Sequence, residues 1–453
     1  MKPLLLKLAI IFLVQFNFAC KTQAQDNVTP ATALTHYLEN GDNTFRWELK
    51  DSFDIGTVKA YNLLLTSQKW REHVWTHQLT VLVPEENKHD GALLFITGGS
   101  IKNGLPNWKG NDDQFIQSIS LLATKNKAIV SVLRQTPNQP LYNDLTEDAL
   151  ISFTLHNFKK DGDYTWPLLF PMVKSAVRAM DAVQQFAKQQ LHHTVNGFVV
   201  TGASKRGWTT WLTGANDERV VAIAPMVIDI LNMPVNLDYQ MKVWKGYSVQ
   251  IEDYVNLGIP QAVHTPDGNA ITAMVDPYAY RNKLTMPKLI IMGTNDEYWT
   301  VDAIKHYYDS IPGQNLIHYV PNAGHNLGDG KQAMRALSAF FGMTLEKTPY
   351  PVCTWDIITK EKKATLVVKA TPKTLVDAVI WYADSPDMVF TDKEWKGESL
   401  GMKKTAEVKE TISFPEAGFR AFYLDLKYKD PNGGEYTEST RMFVADKDQL
   451  FLN

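Results

Sequence analysis

A chain of 453 residues with 44% apolar and 21% charged residues has the composition of an ordinary globular protein, long enough for more than one domain. Its net charge of −3, with no basic tract, excludes a protein held on nucleic acid by charge. Cysteine occurs only at Cys20 and Cys353, which rules out a disulfide framework and a thiolate zinc site, and no metal or cofactor is expected.

In chain order, Lys2 and Lys7 flank an apolar stretch, residues 8–18, too short to span a membrane in the mature protein and typical of an export leader. Cys20 follows Ala19, where a bacterial lipoprotein carries its acylated cysteine. Asn17 fits that pattern poorly, so cleavage after Ala24 is the alternative. Residues 1–24 are read as the leader, and residues 25 to about 35, small and polar, as a tether to a domain over 36–345.

Two strand-like runs, YNLLLTSQKW and HVWTHQLTVLVP, lead to a buried strand at 91–97, an amphipathic helix at 112–124 and a fourth strand at 127–133. A helix is predicted over 171–190, with Pro171 in its first turn. Further strands follow at 197–201, 219–227, 287–293 and 315–320, and a closing helix at 329–343. Strands alternating with helices predict an α/β fold with a mostly parallel sheet. Residues 228–284, inserted between two core strands, are read as a cap over the site, or else as purely structural. From 350 to 453 the pattern becomes short alternating runs, an all-β module resembling a sandwich, with a role in support or partner binding.

The chemistry centres on NGFVVTGASKRGWTTWL, where a short apolar strand meets a helix at Ser204 among the small residues Gly202, Ala203 and Gly207. A serine on such a turn is either a strained nucleophile at the sheet edge or merely the cap of the helix. The pattern G-x-S-x-G is not met, because Arg206 stands where glycine is usual. Asp296 follows the strand KLIIMG and His325 the strand NLIHYV, so a serine, an acid and a histidine all follow strands in the order of α/β-hydrolases. Glu297 and Asp302 are rival acids. An oxyanion would be met by the backbone N–H of Lys205 and by the loop of Gly98, Gly99 and Ser100, whose glycines alternatively only permit a turn. Arg206, Trp208, Asn138 and Gln139 are candidates to touch substrate, although a structural ion pair is the simpler use of Arg206.

The segments PNQPL, EDALISFT, PMVKSAVRAMDAVQQF, VVTGASKRGWTTWL, IIMGTNDEYW and PNAGHNLG together resemble the PhoPQ-activated pathogenicity-related proteins. That resemblance implies an α/β-hydrolase-like catalytic domain with serine, acid and histidine at Ser204, Asp296 and His325. It implies little about substrate. The expectation is an exported serine hydrolase, periplasmic or an outer-membrane lipoprotein of a Gram-negative bacterium, acting on a small-molecule or peptide substrate through an acyl-enzyme. Its membrane contact would be a lipid on Cys20. The alternatives are a signalling or binding protein on a hydrolase scaffold, and an exported peptidase.

Overall fold

Nine strands make one sheet in the structure, a computed structural model that describes residues 28–452. The leader and Cys20 lie outside the described residues. In chain order the strands are β1 (Arg46–Ile55), β2 (Val58–Trp70), β3 (His73–Pro84), β4 (Gly91–Ile96), β5 (Val130–Leu133), β6 (Gly197–Ala203), β7 (Val220–Met226), β8 (Lys288–Gly293) and β9 (Asn315–Val320). They lie side by side in the order β1-β2-β3-β5-β4-β6-β7-β8-β9. The first three form an antiparallel meander that joins β5 antiparallel, and from β5 to β9 every pairing is parallel. The parallel strands are near-continuous apolar runs, as sheets covered on both faces require. This order and these directions make the domain α/β-hydrolase-like, with the loops after β6, β8 and β9 at one edge.

Helices α2 (Gln114–Asn126) and α8 (Lys331–Glu346) pack on one face of the sheet. On the other lie α3 (Glu147–Asp161), α4 (Leu169–Gln190) and α5 (Lys205–Asn216). The insertion adds α6 (Met233–Trp244), α7 (Pro266–Val275) and short helical turns to that same core. Helix α3 lies where the sequence shows only the motif EDALISFT, and two other elements also differ from expectation. Part of the tether is helical, α1 (Ala33–Leu38), because Ala33, Leu34 and Tyr37 find buried places against α4. Strand β1 left no apolar signature because most of its residues are exposed at the sheet edge.

The C-terminal region is two antiparallel sheets, one of Cys353–Lys360, Lys363–Ala370 and Glu407–Ser413, the other centred on Leu375–Ser385 paired with Phe419–Lys429. Leu366 and Val368 of the first sheet share a core with Ile380, Phe422 and Leu424 of the second. Ala339 and Met343 of α8 enter that core, so the module is completed by the large α/β domain. It also covers the open edge of the large sheet, where the Tyr319 N–H donates to Ser439 Oγ at 3.1 Å.

Candidate active site

Ser204 stands between β6 and α5 with φ 58° and ψ −127°, a left-handed conformation that a non-glycine residue holds only when its surroundings impose it. Two glycines permit the close packing that holds it. A Cβ on Gly202 would lie 2.9 Å from backbone atoms of Arg206, and one on Gly207 would lie 2.7 Å from Met226 O. Strand and helix touch there, so the second glycine works as well at 207 as at the customary position. Ser204 is therefore an elbow residue: its side chain makes no capping bond to the helix, which removes the bland alternative. The Lys205 N–H heads α5, where no partner exists within the helix, and is open to an incoming anion.

Asp296 lies just past β8 and His325 just past β9, and their side chains meet. His325 Nδ1 is 2.9 Å and 3.1 Å from the two oxygens of Asp296. Burial pushes the Asp296 carboxyl above its usual range, against the pull of the imidazole and of the Tyr298 N–H that it accepts. The bond to Nδ1 leaves Nε2 to accept a proton, and Nε2 is buried with no hydrogen-bond partner. Of the rival acids, Glu297 accepts the backbone N–H of His325, and Asp302 is buried against Lys305 and Tyr239.

Ser204 and His325 open into adjoining spaces. Ser204 lines an apolar cavity of about 90 Å³ whose wall comes largely from the insertion. His325 lines a polar cleft of about 730 Å³ together with Asn295, Glu297, Asn322 and residues 391–394 of the β module. Tyr298 belongs to both walls and stacks on the His325 ring with centroids 4.0 Å apart. Burial and the carboxylates of Asp148, Asp296 and Glu297 push its hydroxyl up to about 12, so it is neutral at physiological pH. No hydrogen bond joins Ser204 to His325.

The remaining predicted residues divide. Trp208 lines the apolar cavity and donates its indole N–H to Val275 O. Arg206 is spent on the scaffold: its guanidinium donates twice to Glu147 at 2.7 Å and once to Thr136 O at 2.6 Å. Asn138 donates to Thr76 O, and Gln139 holds Glu147 and Gly99 O, so both side chains fix their own loop rather than facing the cavity. Gly99 packs against Gln135 and Ser100 accepts from Asn107, beside the site but not in the cavity wall.

Sequence reasoning did not single out the ion cluster that steadies the elbow. Lys205 Nζ lies 3.1 Å from both Glu147 and Asp148, and the Tyr254 hydroxyl donates to Asp148. Burial works to raise the Glu147 carboxyl, but Arg206 and Lys205 outweigh it and hold it at about 2. The acidic pair heading EDALISFT was the available signal. Nor were Asn295 and Asn322 singled out. Asn295 donates to the carbonyls of Phe390, Thr391 and Lys393, and Asn322 exchanges two hydrogen bonds with the Trp395 backbone. The acid loop and the histidine loop thereby hold the module loop against the cleft.

Residues 34–392 match the family described as PhoPQ-activated pathogenicity-related protein. The chain belongs to this family. Autocrine proliferation repressor protein A of Dictyostelium discoideum is 31% identical to it over 446 residues, 90% of this chain and 88% of the relative. Among solved structures, acetyl xylan esterase 1 from Thermoanaerobacterium sp. JW/SL YS485 aligns at 15% identity and TM-score 0.48, over 69% of this chain and 93% of its own. An S-formylglutathione hydrolase from Agrobacterium tumefaciens aligns at 10% identity and TM-score 0.45, over 66% and 99%. The PhoPQ-related match ends at 392, within the loop that the two asparagines hold.

Proposed function

We propose that this protein is an exported serine hydrolase that cleaves an ester or amide through an acyl-enzyme. The observation that carries the reading is the buried Asp296–His325 pair with a free Nε2, set beside a serine strained at the head of α5. Ser204 Oγ attacks the carbonyl carbon while Nε2 takes its proton, and Asp296 holds the ring tautomer and the imidazolium that forms. The oxyanion meets the Lys205 N–H, with Gly99 and Ser100 supplying the second donor on the facing loop. His325 returns the proton to the leaving group, and water then releases the acyl group by the reverse steps. No residue of the reading calls for a cofactor. Export rests on the leader, and attachment to a membrane, periplasmic or at the outer membrane of a Gram-negative cell, rests on Cys20.

A fluorophosphonate probe is expected to label the wild-type protein and not Ser204→Ala. Folded wild-type protein that stays unlabelled overturns the reading. A second reading, a signalling protein that keeps the scaffold without turnover, is favoured by the missing Ser204–His325 bond and by the name of the Dictyostelium relative. It requires Ser204→Ala to retain the full biological effect.

A further inference from the structure

The cavity behind Ser204 decides which half of a substrate it receives. The walls are Leu155 and Trp208 from the hydrolase domain, Ile230 and Leu237 on one side of the insertion, and Val263 and Ile271 on the other. Of the polar groups in its wall, Asp148 is bonded to both Lys205 and Tyr254, and beyond Ser204 only the hydroxyls of Thr272 and Tyr298 remain, neither of them charged. A carboxylate carried inside would give up water without gaining a cation, and would face the Asp148 carboxylate.

Resting on the serine-hydrolase reading above, we infer that the acyl half of the substrate carries a neutral, unsubstituted hydrocarbon group of butyryl to hexanoyl size, which enters this cavity while the polar leaving group faces His325. Size follows from volume. At about 90 Å³ the cavity is smaller than the roughly 150 Å³ that admits the six carbons of benzene, so a chain of fewer than six carbons beyond the carbonyl fills it. An acetyl group leaves it empty, and a long acyl chain overruns it. Each methylene that fits such a pocket changes kcat/KM by about 10-fold or more. The scissile carbonyl sits at the mouth, and in each turnover the acyl–oxygen bond breaks as the Ser204 Oγ–acyl bond forms, with the proton passing through His325 to the alcohol.

The test is a series of p-nitrophenyl esters, from acetate through butyrate, hexanoate and laurate, with the mono-p-nitrophenyl ester of succinic acid as the charged analogue of butyrate. The expected result is a kcat/KM at butyrate or hexanoate at least tenfold above acetate, laurate and the succinate ester. Ile271→Trp, which fills the cavity, is expected to lower the hexanoate-to-acetate ratio at least tenfold. Should that variant fail to fold, the wild-type profile decides alone. A protein labelled by fluorophosphonate whose profile is flat, peaks at acetate or favours the succinate ester overturns this inference and leaves the hydrolase reading standing. A protein that is not labelled overturns both.

Discussion

The two spaces that meet at Tyr298 are built from opposite materials by different parts of the chain. The cavity at Ser204 is apolar and is closed by an insertion that shares the core of the large domain. The cleft at His325 is polar, open, and shaped on one side by a loop of the β module held by asparagine side chains. Burial of hydrocarbon maintains the first, and directional hydrogen bonds to backbone carbonyls maintain the second. In an acyl transfer the reacting bond lies between nucleophile and base, so the two sides of the site are free to be specified independently. On the proposed reading, the apolar cavity would select the acyl group and the polar cleft the leaving group.

Breaking the junction itself has the largest expected effect. Asp296→Asn retains the side-chain volume but no longer fixes the imidazole tautomer, and kcat is expected to fall by about 10⁴ with both spaces intact. Steady-state kinetics check this, and a loss below tenfold separates Asp296 from the chemistry. Trp208→Ala breaks the apolar side alone. Truncating this buried indole is expected to cost about 3–5 kcal/mol in urea unfolding and to flatten the acyl-chain profile, without changing the ranking of leaving groups. Asn295→Ala is its counterpart on the polar side. It leaves three carbonyls without their donor, and is expected to cost about 1–3 kcal/mol, raise KM for esters of polar alcohols and open residues 390–395 to limited proteolysis.

The smallest effect is one of pH. The Glu147 carboxyl is held at about 2 in the fold against an ordinary 4.5, so the unfolded chain binds the proton first as pH falls. Its contribution to stability is complete above about 4.5 and is lost between there and about 2. Glu147→Gln is therefore expected to unfold at lower urea than wild type at pH 7, with the gap narrowing below pH 4.5 and closing near pH 2. A gap that stays constant with pH would show that the Arg206–Glu147 pair contributes by shape and not by charge.

Much of this is legible in the sequence. The strands from β4 to β9 announce themselves because a sheet covered on both faces needs continuous apolar runs, and each of Ser204, Asp296 and His325 follows one of them. Residues that face water or polar partners leave no such trace. Strand β1 carries no apolar run, and helix α3 shows only as the motif that holds Glu147 and Asp148.

The sequence by itself determined the fold class and the strand ends at which Ser204, Asp296 and His325 stand, since these depend on local periodicity and on where each strand stops. Only the tertiary structure decided that Arg206 belongs to Glu147, that Tyr298 stacks on His325, and that Asn295 reaches across 98 positions to Lys393. Such pairings depend on which segments the sheet and the module bring side by side, and the spacing of residues along a strand or helix carries no record of that.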